Sequence, residues 1–529
     1  MKIVIAEKVA SNAVQLLKAE QDWTVITHEQ VNGNLAALLS EADALIVRSA
    51  VNVTPDTLRG ADKLRVIGRA GVGVDNIDLD AATKAGIAVM NTPGANAVAV
   101  AEHTLALMLG LARFIPRADA TTKAGKWEKK SLQGTELRGK TLGIVGLGRI
   151  GLEVAKRARA FEMTIVAHDP YVSASVAREH QIRLAELDEV YAASDYLSLH
   201  VGLTPQTTGM INENSITKMK PGIRIINCAR GELVDDAALA HALAEKRVAA
   251  AALDVFTNEP PKNSPLLALE NVILTPHIAG STNEAQDAVG VQIAGQVLEY
   301  LKRGVIQNAV NMPSIDHEQY SLMRPYIALA EKLGGFLSDI ASGSVQEIFI
   351  RYEGDLTEWK TELIRNAAIQ GILNRRLAER ANVVNAAAIA QERGIPVHEK
   401  RQQKSPDGGT GNRLSLVLKT SSGESEVRGA VIHGESSRLL GVDAIDIEVP
   451  LEGRLIYLRN RDVPGVVGKI GTILGHHNIN IGNFALGRNS TNGKAEAVGV
   501  VQIDSAPSED ALKEIQQLTE VQEAKAIQL

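Results

Sequence analysis

A single cysteine, Cys228, stands among 529 residues. No internal disulfide can form, which excludes the disulfide-stapled secreted scaffolds and fits a reducing cytoplasm. Aromatic residues are scarce at 3%, so the cores have to be built from Ala, Val, Ile and Leu. That favours buried parallel strands and helices over an aromatic binding platform. No apolar run reaches the ~18 residues of a membrane helix, and the opening MKIVIAEKVA runs into a strand pattern without a signal-peptide cleavage region. Positive charge is not in excess either. With 56 basic and 62 acidic residues the net charge is −6, which offers no electrostatic footprint for nucleic acid. Neither nucleic acid nor membrane is expected as a partner. There is no low-complexity segment and no short-period repeat.

At roughly 150 residues per domain, the length predicts three to four domains. Aliphatic runs at 2–6, 24–27, 44–47, 65–67 and 87–90 alternate with helical patterns at 9–20 and 35–40, a βαβ rhythm that implies a parallel sheet. A long helical stretch over 98–125 should break at Pro116. A second series follows at 141–145, 164–167, 196–200, 224–227, 250–255 and 272–274, too many strands for one sheet with the first. After a helix over 282–303 and a linker around Pro313 the rhythm changes. Helices are expected at 326–341 and 355–370, a strand at 344–352 and an antiparallel sheet from 414–419, 425–431 and 444–449. A turn or exposed loop is expected at 404–412. From about Arg454 the order is strand, helix, strand, strand, helix, strand, with Asn492-Gly493 joining the middle strands, a ferredoxin-like βαββαβ.

The strongest local signal is TLGIVGLGRIGLEVAKRA. A strand runs into Gly146, Gly148 and Gly151, and an amphipathic helix opens at once. Gly146 permits the tight turn, Gly148 lets the backbone approach a pyrophosphate, and Gly151 lets helix pack on strand. The helix N-terminus adds amide donors and the positive end of its dipole. Asp169 closes the next strand, where an acid accepts from ribose hydroxyls and repels a 2′-phosphate. NAD is therefore favoured over NADP.

Three polar clusters end later strands of this series: Arg230 in INCARGELVD, Asp254 and Glu259 in LDVFTNEPP, and His277 in ILTPHIAGST. A guanidinium can clamp a carboxylate in two-pronged fashion, and a histidine beside an acid can take a hydroxyl proton. Taken singly, each has a bland alternative as a surface arginine, a loop acid or a satisfied loop histidine. Arg48 in LIVRSA and Arg69 in GRAGVGVDN could bind a phosphate or could be solvated loop residues.

Together Gly146–Gly151, NCARGE, LDVFTNEP and TPHIAGST resemble the D-isomer-specific 2-hydroxyacid dehydrogenases. The resemblance implies a catalytic set of Arg230, Glu259 and His277. It implies NAD held by Gly146, Gly148, Arg149, Ile150, Gly151 and Asp169, with Val72, Val201, Cys228, Ala229, Asp254 and Gly280 completing the cofactor wall. No metal is expected. LIVRSA, GRAGVGVDNID, the Asn96 loop and AEHTLALML look like the branch that acts on 3-phosphoglycerate, with Arg48, Arg69 and Asn96 on the substrate. Trp127 and Lys130 sit where the family reaches toward a neighbouring subunit. A packed Trp at an exposed helix end is the alternative.

Ile278-Ala279-Gly280, Ala95 and the HVGLTP segment around Val201 depart from the usual pattern. RLIYLRNRDVPGVVGKIG resembles an ACT module, which implies L-serine as effector at Asn460, Asp462 and Asn480. The implied layout is a flavodoxin-like substrate domain (1–97 and 285–312), a Rossmann NAD domain (98–284), an α+β intervening domain (313–452) and an ACT domain (453–529), in a homodimer or homotetramer. Reductases of glyoxylate, hydroxypyruvate or 2-oxoglutarate, and a non-catalytic NADH-sensing protein, are the alternatives of similar architecture.

Overall fold

The computed structural model describes residues 1–31, 33–313, 317–378, 380–403, 411–489 and 496–529. The first sheet has five strands in the order Thr24–Ile26, Lys2–Ile5, Ala44–Val47, Val66–Arg69 and Ala88–Met90. All neighbours are parallel, the flavodoxin-like order. The second has seven parallel strands, in the order Val272–Leu274, Val248–Leu253, Ile223–Asn227, Tyr196–Leu199, Thr141–Val145, Thr164–His168 and Arg183–Leu184. Its strand order reverses between Thr141–Val145 and Tyr196–Leu199, and at such a point loops leave in opposite directions and open a crevice at the carboxyl ends.

The helical stretch after the first sheet breaks earlier than expected. Ala97–Arg113 ends at Phe114, which is left-handed with φ 53°, and Ile115–Lys123 follows. Pro116 lies in the first turn of the second helix, where its missing N–H leaves no bond unmade, so the expected break falls two residues upstream of the proline.

Helix Asn283–Arg303 carries the chain back onto the first sheet. The Thr282 hydroxyl accepts from Ala285 N at 3.1 Å to start it, and Gly304, at φ 73°, ends it. Ile293 and Val297 pack over Gly68, where a Cβ would come within 2.8 Å of Ile293 Cγ1. One face of the first lobe is thus closed by residues that follow the second. Val310 N then donates to Val89 O at 2.8 Å along the edge of the same sheet.

In the following region the antiparallel strands are Arg413–Thr420, Gly423–Ile432, Ser436–Val442 and Ile445–Pro450; the third was not expected. The sheet is mixed rather than wholly antiparallel, because Val345–Glu353 pairs antiparallel with Arg413–Thr420 and parallel with Val397–Gln402. That edge strand, VHEKRQ, is largely exposed and charged, so no apolar alternation announces it. The helix expected over 355–370 is a 3₁₀ turn, Gly354–Glu358, followed by Glu362–Leu373. Most of the 404–412 loop and the whole Asn492-Gly493 turn lie outside the described residues.

The last sheet is antiparallel, in the order Ile481–Asn489, Glu496–Ile503, Arg454–Arg461 and Val521–Gln528, which is the ferredoxin-like arrangement. Ile456 and Leu458 face its helices, Val466–His476 and Glu509–Gln516. Tyr457, on the other face, meets Phe336 edge-to-face at 6.0 Å. Among the described residues no single helix is long and apolar enough to cross a membrane.

Candidate active site

A cleft of about 610 Å³ opens between the two parallel-sheet lobes. Strand ends supply its walls. Arg48 follows Ala44–Val47, Arg69 ends Val66–Arg69, and Cys228, Ala229 and Arg230 follow Ile223–Asn227. Val72, Asn96, Ile150, Val201, Glu259, His277 and Gly280 complete the predicted residues that the structure brings together there.

The glycine loop lies at the strand-order reversal, with its glycines in three different situations. Gly146 has φ 94°, and a Cβ on it would fall 2.5 Å from His200 O; one on Gly151 would fall 2.2 Å from Gly146 O. Gly148 caps helix Arg149–Ala160 and has open space, with nothing within 4 Å of a Cβ. Asp169 ties this loop to the neighbouring turn: Oδ2 accepts from Leu147 N at 2.8 Å, and Oδ1 accepts from Tyr171 N at 2.8 Å and Val172 N at 3.2 Å. Arg149 reaches across to donate to Pro93 O. Of this loop, Ile150 lines the cleft, and Gly146, Gly148, Arg149, Gly151 and Asp169 are not among the lining residues.

His277 takes a left-handed backbone, φ 54°, and its Nδ1 is 2.8 Å from Glu259 Oε2. An ionised carboxylate only accepts, so Nδ1–H donates and Nε2 carries the free lone pair. Glu259 Oε1 accepts from Phe256 N at 3.1 Å, which fixes the acid in turn.

The loop behind His277 is held by Asp254, which is fully buried. Its carboxylate accepts from the Thr275 hydroxyl at 2.5 Å, Ile278 N at 2.9 Å and Ala279 N at 2.8 Å. Burial alone would raise this carboxyl; hydrogen bonds from His103, Thr275 and the two amides outweigh it and keep the group below its usual range. Asp254 thus stands behind the histidine loop and is not among the residues that line the cleft.

The same cleft gathers Arg230, Arg69 and Arg48. Arg230 Nε donates to Asp75 Oδ2 at 2.9 Å, and a terminal nitrogen donates to Ala229 O at 2.6 Å. Arg69 Nε and Asn96 Oδ1 are buried with no hydrogen-bond partner among the described residues. Burial, then the like charges of Arg230 and Arg48, push the Arg69 guanidinium down to about 10. An unmade buried hydrogen bond costs about 1–3 kcal/mol; Arg69 Nε is left to donate to an anion, and Asn96 Oδ1 to accept from a hydroxyl or other donor.

Other cleft neighbours are inert. Burial pushes the Cys228 thiol up to about 12 and the His200 imidazole down to about 4, leaving both neutral. Trp127 is 85% exposed, which removes the packed-Trp alternative.

Sequence reasoning missed the residues that hold these groups. Asp75 binds Arg230, and Asn76 Nδ2 donates to Arg48 O at 2.9 Å. Glu7 accepts from the amides of Arg48, Ala50 and Val51 at 2.7, 2.9 and 3.2 Å. Asp75 and Asn76 sit inside GRAGVGVDN, so a signal was present; Glu7 carries none.

None of Asn460, Asp462 and Asn480 lines the cleft. All belong to the ferredoxin-like region. Asn460 is buried and donates to Arg461 O at 2.8 Å, Asp462 accepts from Arg488 Nε at 2.8 Å, and Asn480 donates to Asp504 at 2.7 Å.

Residues 105–279 match the NAD-binding domain of D-isomer-specific 2-hydroxyacid dehydrogenases, and residues 322–443 match the D-3-phosphoglycerate dehydrogenase intervening domain. The D-3-phosphoglycerate dehydrogenase of Methanocaldococcus jannaschii is 40% identical over 530 residues, with 100% of each chain covered. The chain belongs to the D-3-phosphoglycerate dehydrogenase family. Solved structures extend the likeness of the two cleft-forming lobes to other oxidoreductases. A glyoxylate reductase from Paecilomyes thermophila has a TM-score of 0.54 at 31% identity, covering 59% of this chain and 98% of its own. An NAD-dependent formate dehydrogenase from Staphylococcus aureus, in complex with NAD, has a TM-score of 0.53 at 27% identity, covering 60% and 100%. The 2-hydroxyacid dehydrogenase lobes are thus common to a wider group, and the intervening region marks the narrower family.

Proposed function

We propose that the chain oxidises 3-phospho-D-glycerate to 3-phosphohydroxypyruvate with NAD, the first step of L-serine biosynthesis. The observation that carries this reading is one cleft holding a His277–Glu259 pair together with Arg230, Arg69 and Arg48. A carboxylate needs one guanidinium; the two others suit a phosphate dianion, and Asn96, with its unpartnered Oδ1, suits a donor on the same substrate.

The residues fit a dinucleotide. Gly148 leaves open space at a helix N-terminus, where amides and dipole favour a pyrophosphate. Gly146, Arg149, Ile150, Gly151 and Asp169 would hold it, with Val72, Val201, Cys228, Ala229 and Gly280 along the cleft. NAD, when bound, supplies the hydride acceptor for the carbon that bears the hydroxyl. Arg230 holds the substrate carboxylate and so orients that carbon. His277 Nε2 takes the hydroxyl proton, and Glu259 stabilises the imidazolium that results. Asp254 acts on this step through the histidine loop it anchors.

The test is a steady-state assay with 3-phosphohydroxypyruvate and NADH, the direction in which equilibrium helps. Arg69→Ala is expected to raise KM for that substrate by at least about tenfold while changing KM for unphosphorylated hydroxypyruvate less than threefold. Equal effects on both substrates would point to an unphosphorylated oxo acid.

The ferredoxin-like region is read as an ACT module that binds L-serine near Asn460, Asp462 and Asn480. Support comes from Gly465 at φ 95°, which opens helix Val466–His476 beside Asp462. Serine added to the same assay should lower activity of the full chain; unchanged rates at millimolar serine would remove that role. A homodimer or homotetramer in the cytoplasm completes the reading, supported by the exposed Trp127 and the single buried thiol.

A further inference from the structure

We propose that Asp75 is a positioning residue for this reaction: from the lobe opposite Arg230 it holds the Nε edge of the guanidinium, so that the terminal nitrogens are presented to the substrate carboxylate. The proposal rests on the reading of Arg230 given above.

Asp75 and Arg230 are 155 residues apart in sequence. Asp75 belongs to the loop after Val66–Arg69 in the first lobe, and Arg230 to the loop after Ile223–Asn227 in the second. Their bond at 2.9 Å therefore spans the cleft. It uses the single N–H on Nε, while one terminal nitrogen also donates to Ala229 O at 2.6 Å. The remaining terminal N–H groups are the ones a carboxylate engages in two-pronged fashion.

Gly73 completes the seat. A Cβ on it would fall 1.7 Å from a terminal nitrogen of Arg230 and 2.7 Å from Asp75 Oδ2, so the guanidinium lies against bare backbone. Any side chain at 73 would displace the group that Asp75 holds.

Stability is not what this pair supplies. The Asp75 side chain is 60% exposed and that of Arg230 27%, and pairs this open contribute about 0–1 kcal/mol. Two catalytic roles then remain, and they differ in sign. If Asp75 merely screened Arg230, Arg69 and Arg48, removing its charge would tighten binding of an anionic substrate. If it orients Arg230, removing its oxygen atoms weakens that binding, and an amide oxygen in the same place restores it.

The experiment uses the full chain with 3-phosphohydroxypyruvate and NADH, and compares Asp75→Ala with Asp75→Asn. Asp75→Ala should raise substrate KM about tenfold, with kcat lowered less than about threefold and NADH affinity by fluorescence unchanged. Asp75→Asn should return KM to within about threefold of wild type, because its Oδ1 still accepts from Nε. A KM for Asp75→Ala at or below the wild-type value overturns the proposal, as does an Asn variant no better than the Ala variant. An active wild type with an unaffected Asp75→Ala overturns this proposal alone. A wild type inactive on the phosphorylated oxo acid overturns the functional reading, and this one with it.

Discussion

His277→Ala is expected to lower kcat by roughly 10²-fold or more while leaving NADH affinity and substrate KM nearly unchanged. The imidazole is the one group in the cleft with a carboxylate partner on Nδ1, 2.8 Å away at Glu259, and a free Nε2. Neither His200 nor Cys228 can replace it. Burial pushes the first down to about 4, too weak a base at neutral pH, and the second up to about 12, so that it stays protonated. The left-handed turn at His277 is held by the amides of Ile278 and Ala279 on Asp254, bonds that the substitution leaves in place. The variant should therefore fold, and its lost turnover can be assigned to proton transfer. Near-normal kcat would remove His277 from that role.

Replacing Arg230 should cost more. Arg230→Ala is expected to lower kcat/KM by about 10³-fold, because the carboxylate loses its two-pronged anchor and the reacting carbon its orientation. Arg230→Lys should recover little of this: an ammonium keeps the charge but offers neither the planar fork nor a group for Asp75 to hold at Nε. The side chain is only partly buried, so thermal stability should change little in either variant. If Arg230→Lys came within tenfold of wild type, charge rather than geometry would be what the site uses.

The parts of the site legible in the sequence are those whose chemistry depends on residue type within a short window. The glycine loop, Asp169, and the strand-end positions of Arg230, Glu259 and His277 all announce themselves in this way. The flavodoxin-like and Rossmann sheets were legible for a related reason: strands buried on both faces read as continuous aliphatic runs. Three kinds of feature were not. Val397–Gln402 is an exposed edge strand whose charged side chains follow no apolar period. The left-handed turn at Phe114, two residues ahead of Pro116, depends on backbone conformation that no side-chain pattern announces. Glu7, Asp75 and Asp254 act through bonds to residues tens to hundreds of positions away, and no local pattern encodes such pairings. Asp254 stands out in LDVFTNEPP, but its burial, and hence its place behind the histidine loop, is a matter of three dimensions.

Helix Asn283–Arg303 closes a face of a sheet whose strands are complete by Met90. On a ribosome adding about 5–20 residues per second, the first lobe therefore waits on the order of tens of seconds, with the whole second lobe emerging in between, before that face is covered. During that interval Gly68 and its neighbours offer aliphatic surface to chaperones or to other nascent chains. Synthesis halted between Leu274 and the end of that helix would leave a finished Rossmann lobe beside a first lobe whose sheet is only partly covered, a fragment open to proteolysis.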